Sequence, residues 1–373
     1  MRDGLKAIPQ AWLDHDRAIQ PYLWSHRIIG WARSLAGLLL VAGLVFRGWG
    51  GLLQSALGDP ATFLTWWLFF LGLAAAWELL SLPFDYAGYW VERHFGLSRQ
   101  GLAAWLVDHA KGLAVGAVLG SLALGLLYVS VRWGGAHWWW IASTLFLLFS
   151  VVLAQLAPVI LIPIFFKLKP MEPGALKDRL LALCGRHGVR VKDVYHLGLG
   201  EKTEKGNAAF VGLGATKRIL IGDTLYEKYS VEQVEAVFGH ELGHQVHGDL
   251  WKGLVLSSVF TYAAFFAADA VGRGWLYPSV GFTAKAPFGM LATLVALTLV
   301  QMPMGVVQAA FSRWRERKAD AFAGRLGLGA PLAEALERLT YQNRGQFVPN
   351  AVREFLTYSH PAPWRRVLGF RGA

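Results

Sequence analysis

The chain is 373 residues long, 54% hydrophobic and only 16% charged, with a formal net charge of +11 and a single cysteine. Soluble proteins carry about 25% charged residues, and here the apolar excess is gathered into long blocks, which argues against a soluble domain and for a membrane protein. The lone Cys184 excludes an intrachain disulfide framework and a cysteine zinc site, and no nucleic-acid motif accompanies the positive charge, which suits cationic loops on the cytoplasmic side of a bilayer.

In chain order, residues 1–27 form a polar, partly amphipathic N-terminal segment. Its four basic and three acidic side chains leave no apolar stretch for a cleavable signal peptide. A first membrane span is expected over 28–46, with Arg33 near enough to its end to reach the headgroups. A second, over 61–82, is rich in Trp and Phe and carries Glu78 near its end. Leu82-Pro83-Phe84 then opens a polar loop to about residue 103. The third and fourth spans are expected over 112–131 and 138–160. Trp133 and the Trp138-Trp139-Trp140 run suit an interfacial belt, and Pro158 and Pro163 end or kink the fourth helix.

Charge returns over 166–250, where the pattern is mixed α/β: a helix over 173–187 stopped by Gly188, a strand over 191–197, and short strands over 207–213 and 218–221 joined around Gly214. Residues 253–271 and 288–310 read as the fifth and sixth spans. Gln301, Pro303 and Gln308 give the sixth a side suited to protein or water rather than lipid. The expected fold class is mainly α, a polytopic membrane protein of about six spans with a small inserted α/β zinc-metalloprotease domain. Its parts are an N-terminal segment (1–27), a four-span region (28–165), the insert (166–250), a membrane hairpin (251–310) and a C-terminal part (311–373). With the N-terminus inside, Arg2, Lys6, Arg17, Arg27, Arg93, Arg99, the insert and the basic C-terminal part are cytoplasmic; only Arg47, Arg132, Arg273 and Lys285 are outside.

The insert contains Phe238-Gly239-His240-Glu241-Leu242-Gly243-His244-Gln245-Val246-His247. Ser230 followed by Gln233 reads as a capping box, Val231, Val234, Val237, Phe238 and Leu242 form an apolar stripe, and Gly248 suits a helix stop. Residues four apart share one helical face, so His240 and His244 can offer two imidazole nitrogens to one metal ion. Glu241, about 100° round the helix from His240, is placed to take a proton from a water at that ion without being a ligand. The alternative is a buried helix with two satisfied histidines, and chance yields the five-residue pattern on the order of once in a hundred such chains. The metzincin extension is ruled out: it needs Gly at 247 and His at 250, where this chain has His247 and Leu250.

Beyond the sixth span, Ser312-Arg313-Trp314-Arg315-Glu316-Arg317-Lys318-Ala319-Asp320-Ala321-Phe322-Ala323 places Glu316 and Asp320 four apart. Alone, this reads as a solvated charge run at a membrane exit. Paired with His-Glu-x-x-His, it resembles the type I CAAX prenyl endopeptidases, integral-membrane zinc gluzincins related to the HtpX quality-control proteases. Other stretches agree: Leu82-Pro83-Phe84 before Phe95-Gly96, Phe165-Phe166-Lys167, Asn207-Ala208-Ala209-Phe210, and Tyr358-Ser359-His360-Pro361 followed by Arg366. The likeness runs from about residue 61 to the C-terminus. It implies His240, His244 and Glu316 as zinc ligands and Glu241 as general base and then acid. It implies Asp320 as the group orienting a ligating histidine, and Asn207, His360 and Arg366 as substrate or oxyanion contacts. It also implies seven spans around an intramembrane chamber, where six are counted here and the first lacks a counterpart.

Helical geometry agrees with Glu316 as third ligand. Glu235 faces largely away from His240. His247 returns to the azimuth of His240 but lies about 10 Å further along the axis, and Asp249 lies past the Gly248 stop, where the chain is expected to turn away. The expected function is a membrane-embedded zinc endopeptidase acting on a membrane-associated peptide or protein, CAAX-type substrates among them. The lipid bilayer is its other partner, and no nucleic acid is expected. The Ala-, Gly-, Arg- and Trp-rich composition suits a bacterial inner membrane with the active site facing the cytoplasm. The rivals are an HtpX-type quality-control protease, a transporter-like protein with a structural metal, and a catalytically silent scaffold. The transporter would concentrate polar residues in mid-span, and the scaffold would have no use for Glu241.

Overall fold

A computed structural model of the protein describes residues 8–372. Residues 1–7, with the Arg2 and Lys6 counted toward the expected cytoplasmic charge, lie outside the described residues, as does Ala373. The N-terminal half is helical: α1 (Gln10–Ala18), α2 (Gln20–Phe46), the short α3 (Trp49–Leu57), α4 (Phe63–His94), α5 (Leu102–Gly134) and α6 (Trp138–Leu156). Among the described residues, five helical stretches are long and apolar enough to cross a membrane. One of them, Leu102–Phe165, contains both α5 and α6, which turn at the positive-φ Gly135 and pack against each other. The five stretches therefore supply six crossings. Two pairs of ionisable groups inside them match each other, which lowers their cost in a low-dielectric setting: His109 Nε2 lies 2.6 Å from Glu78, and Arg33 donates to Asp85 at 2.6 Å.

The polar loop expected after Pro83 is mostly helix. α4 runs through Pro83 to His94 and α5 starts at Leu102, so only residues 95–101 connect them. The polar residues of these extensions are used, not solvated. Lys205 reaches Glu92 at 2.9 Å and Lys202 reaches Asp108 at 2.5 Å, while Ser98 bridges Thr203 in a short β-pairing. The membrane helices are thereby fastened to the segment that leads into the sheet.

After α6, a π-helical turn over Ala157–Leu161 takes up Pro158 and passes into α7 (Ile162–Phe165). The sheet follows: β1 (Leu168–Pro170), β2 (Val194–Leu197), β3 (Ala208–Val211) and β4 (Arg218–Gly222), in the order β1-β2-β4-β3. β2 and β4 run parallel, with Val194 opposite Ile219, and the outer pairs are antiparallel. β3 is thus an edge strand. β1 was not expected; three residues are too few for a period-two pattern to declare itself. Between β1 and β2 lies α8 (Ala175–Arg186), and after β4 come α9 (Asp223–Tyr226), α10 (Val231–Val246), α11 (Asp249–Val271), α12 (Tyr277–Val280) and α13 (Pro287–Arg325). α14 (Gly329–Gln342), α15 (Ala351–Thr357) and α16 (Pro363–Arg371) complete the chain. Leu180 of α8, Val194, Ile219 and Ile221 of the sheet, Phe238 and Leu242 of α10, and Phe322 of α13 share one buried core.

α1 is pinned to the far end of the chain. Trp12 is buried and stacks on Phe347 at 4.8 Å, with its indole N–H donating to Glu337 at 2.7 Å. Asp16 accepts from the Phe347 and Val348 backbone N–H groups at 2.7 and 2.8 Å. Burial raises the Asp16 pKa, opposed by those two bonds.

Candidate active site

α10 starts where its sequence says it should. Ser230 accepts from the Gln233 N–H at 3.2 Å and the Gln233 side chain accepts from the Ser230 N–H, so two otherwise orphaned donors are satisfied. The helix ends at Gly248, whose φ of +65° is the left-handed conformation that favours glycine. Its inner face packs closely on α13 at Gly243, where a larger residue would force the neighbour to shift. A Cβ at Gly243 would come within 3.0 Å of the Ala319 Cα and 3.2 Å of the Phe322 Cβ. That close approach brings the carboxylates of α13 onto the two imidazoles.

His240, His244 and Glu316 each turn one ligand-capable atom into a common space, all within 4.8 Å of one another. Glu316 straddles the pair, with Oε2 at 3.2 Å from His240 Nε2 and Oε1 at 3.2 Å from His244 Nε2. The arrangement fits a metal ion. Ligands about 2.0–2.1 Å from a tetrahedral zinc are separated by about 3.3 Å. The donor set of two imidazoles and a carboxylate is a known zinc hydrolase set. Glu316 Oε2 is also buried and, although 3.2 Å from His240 Nε2, makes no well-aligned hydrogen bond, so a cation beside it would be stabilising.

Each imidazole is steered through its other nitrogen. His240 Nδ1 lies 2.9 Å from Asp320 Oδ1, and Asp320 is gripped by Arg366 through Nε at 2.9 Å and an Nη at 2.7 Å. His244 Nδ1 lies 2.8 Å from Asp249 Oδ2. Asp249 is the residue that sequence reasoning passed over. It was expected to point away beyond the helix stop. Instead Gly248 turns the chain so tightly that Asp249, the first residue of α11, is buried beside the histidine five positions earlier. Its carbonyl also accepts from Arg315 at 3.1 Å, which ties α11 to α13.

Glu241 is partly buried, and burial pushes its carboxyl pKa above the ordinary value. Among the described residues its side chain makes no hydrogen bond, so a proton acceptor is held next to the cluster without being consumed by it. His360 arrives on the loop between α15 and α16. Its Nε2 lies 3.3 Å from Glu316 Oε1, Nδ1 lies 2.8 Å from the Ser359 hydroxyl, and the side chain is 57% exposed. Burial nonetheless lowers its pKa, against the nearby Glu316 carboxylate. Arg366, expected as a substrate or oxyanion contact, donates to Asp320, with His240 Nδ1 at 3.4 Å and Glu316 Oε2 at 3.8 Å. Burial works against its charge and the Asp320 carboxylate outweighs that, keeping the guanidinium protonated. His247 stands outside the cluster, its ring edge-on to Phe322 at 5.9 Å. Asn207 is exposed just before β3; its carbonyl accepts from the Gly222 N–H at 2.9 Å. Its side chain makes no hydrogen bond among the described residues.

The profile of Peptidase family M48 matches residues 170–371, and that of the CAAX prenyl protease N-terminal region, described as five membrane helices, matches residues 18–167. In that second range this chain has the long helices α2, α4, α5 and α6 and the short α3 and α7, of nine and four residues. The chain is 27% identical over 303 residues to the Probable CAAX prenyl protease 1 of Schizosaccharomyces pombe, covering 79% of this chain and 63% of that protein. It is 27% identical to the CAAX prenyl protease 1 homolog of Homo sapiens, covering 91% and 76% of the two chains. It is also 27% identical to the Uncharacterized metalloprotease YhfN of Bacillus subtilis, covering 83% and 74%. The crystal structure of S. mikatae Ste24p superposes with a TM-score of 0.86 at 21% identity, covering 96% of this chain and 88% of that one. That likeness establishes the fold.

Proposed function

Because the chain belongs to peptidase family M48, a family of metalloendopeptidases, and is an integral membrane protein, we propose that it is a zinc-dependent endopeptidase cutting membrane-associated peptides. The observation that carries this reading is the convergence of His240, His244 and Glu316 within 4.8 Å, with Glu241 beside them. We assign His240, His244 and Glu316 as the ligands. A zinc ion held there supplies Lewis acidity to the scissile carbonyl and to the attacking water. Glu241 is the general base. Its burial-raised pKa suits taking a proton from that water and returning it to the leaving amine. Asp320 and Asp249 fix the two imidazole rings so that the Nε2 atoms face the ion. Arg366 holds Asp320 in place, and His360, exposed and next to Glu316, is the side chain best sited to donate to a developing oxyanion.

The edge position of β3 suits an extended substrate pairing by main-chain hydrogen bonds, with Asn207 at its entrance. The named relatives are CAAX prenyl proteases, and CAAX-type membrane-tethered peptides are the substrate class we assign. Loop charge favours a cytoplasmic active site, and the composition a bacterial inner membrane. The soluble parts, 166–250 and 311–373, then form one unit on that side. Proteomics of membrane peptides from cells making the wild type or Glu241→Gln tests the reading. New peptide termini should appear with the wild type alone. Identical peptide populations would overturn it.

A further inference from the structure

Helix α15, Ala351–Thr357, is built inside out. Its carboxylate, Glu354, is buried, while Val352, Phe355 and Leu356 are 66%, 58% and 44% exposed. These three lie at i, i+3 and i+4 and so form one apolar face. A helix facing water does the reverse. Glu354 is committed inward, accepting from the Ala362 N–H at 3.0 Å with Arg365 Nε at 3.5 Å. The outward face is therefore not a by-product of loose packing.

The level of α15 along α13 says what meets that face. About 20 residues at 1.5 Å per residue cross an apolar core of about 30 Å, so a crossing that begins at Phe288 ends near Gln308. Arg313 lies one and a half turns further, within the headgroup layer. Its guanidinium donates to the carbonyls of Glu354, Phe355 and Tyr358 at 3.0, 3.0 and 2.6 Å, pinning the end of α15 at that level. Neighbouring side chains carry the marks of an interface: Phe311 stacks on Trp314, and Lys318 sits over the Trp314 ring at 3.9 Å. Beside α15 a groove of about 440 Å³ between α13 and α16 is lined by Arg313, Arg317, Arg365 and Arg366 and by the carboxylates of Asp320 and Glu354, which are already taken up by Arg366 and by the Ala362 N–H. Among the described residues, Arg317 is exposed and makes no ion pair.

We propose that α15 lies in the plane of the membrane on the side that carries the histidine cluster, its Val352, Phe355 and Leu356 face buried at the acyl boundary and the adjacent arginine groove holding anionic phospholipid headgroups. The geometry is that of an interfacial amphipathic helix, apolar on one side and flanked by basic groups. Three residues after Thr357 comes His360. The anchor thus sets the height of the membrane relative to the residue that touches Glu316, and a peptide tethered in the same leaflet is delivered at that height.

The test uses full-length protein in lipid nanodiscs containing phosphatidylglycerol. Nitroxide labels are placed at Val352→Cys, Phe355→Cys and Leu356→Cys in a Cys184→Ala background, with Glu334→Cys on the exposed face of α14 as reference. Labels on α15 should collide several-fold more with oxygen, and several-fold less with a water-soluble nickel chelate, than the reference. Replacing phosphatidylglycerol by phosphatidylcholine should make the labels shallower. Chelate accessibility equal to the reference overturns the proposal, as does shielding from both reagents, which would mean a protein partner covers the face. Equal depth in both lipids overturns the headgroup part. Hydroxyl-radical labelling of the unsubstituted protein guards against misfolded variants: Phe355 should label several-fold more slowly than Tyr341, and equal labelling contradicts membrane burial.

Discussion

The surroundings of α10 and the apolar crossings are held together in opposite ways. Around α10, burial is by protein: His240, Glu316, Asp320 and Asp249 are all buried, and the two imidazoles lie 2.8 to 3.2 Å from these carboxylates. In the crossings, only 6% to 22% of the most apolar windows is buried by the rest of the chain, and large side chains such as Leu38 stand 68% exposed. The first region is specified by complementary contacts between named residues. The second is specified by the solvent around it. Removing one side chain should therefore be costly in the first and nearly free in the second.

The largest expected effect is on chemistry. Glu241→Gln should keep the fold and the metal ligands while lowering peptide hydrolysis by about 10²–10⁴-fold, the usual loss on removing a general base. Steady-state turnover of a peptide substrate by purified protein checks it. Trp12→Ala should come next. Trp12 is 1% exposed at the α1 clasp, and truncating a buried tryptophan costs about 3–5 kcal/mol; thermal unfolding in nanodiscs should show the loss. Asp249→Asn should weaken zinc about 10–100-fold, as expected when a group orienting a ligating histidine is disabled; competition with a chelator measures it without any substrate. Smallest of all should be Leu38→Ala, which changes only a lipid-facing side chain and should shift stability by about 0.5 kcal/mol or less. A Leu38 effect as large as that of Trp12 would remove the contrast between side chains buried by protein and side chains facing lipid.

What could be read in the sequence follows the same division. The boundaries of α10 were legible because the signals are local: Ser230 with Gln233 opens the helix and Gly248 closes it. The crossings were legible because hydrophobic length alone declares them. The continuation of α4 past Pro83 was hidden, since its polar residues are stabilised by Lys205 and by Arg33 from elsewhere in the chain. Asp249 was hidden for a related reason. The sequence marks the turn at Gly248 but not its direction, and direction decides whether a carboxylate reaches His244 or solvent. Nothing local to Gly243 in the sequence signals the close helix–helix approach made there. The juxtaposition of Glu316 with His244, 72 positions apart (316 − 244), came from resemblance to a family; no local pattern encodes it.

The central claim is that a single metal ion is held jointly by α10 and α13. Zinc stoichiometry of purified protein, measured by elemental analysis after dialysis, tests it most directly. Wild type and His247→Ala should each retain one equivalent, and Glu316→Ala, with its fold verified by circular dichroism, should retain almost none. Full occupancy in Glu316→Ala would contradict the assignment.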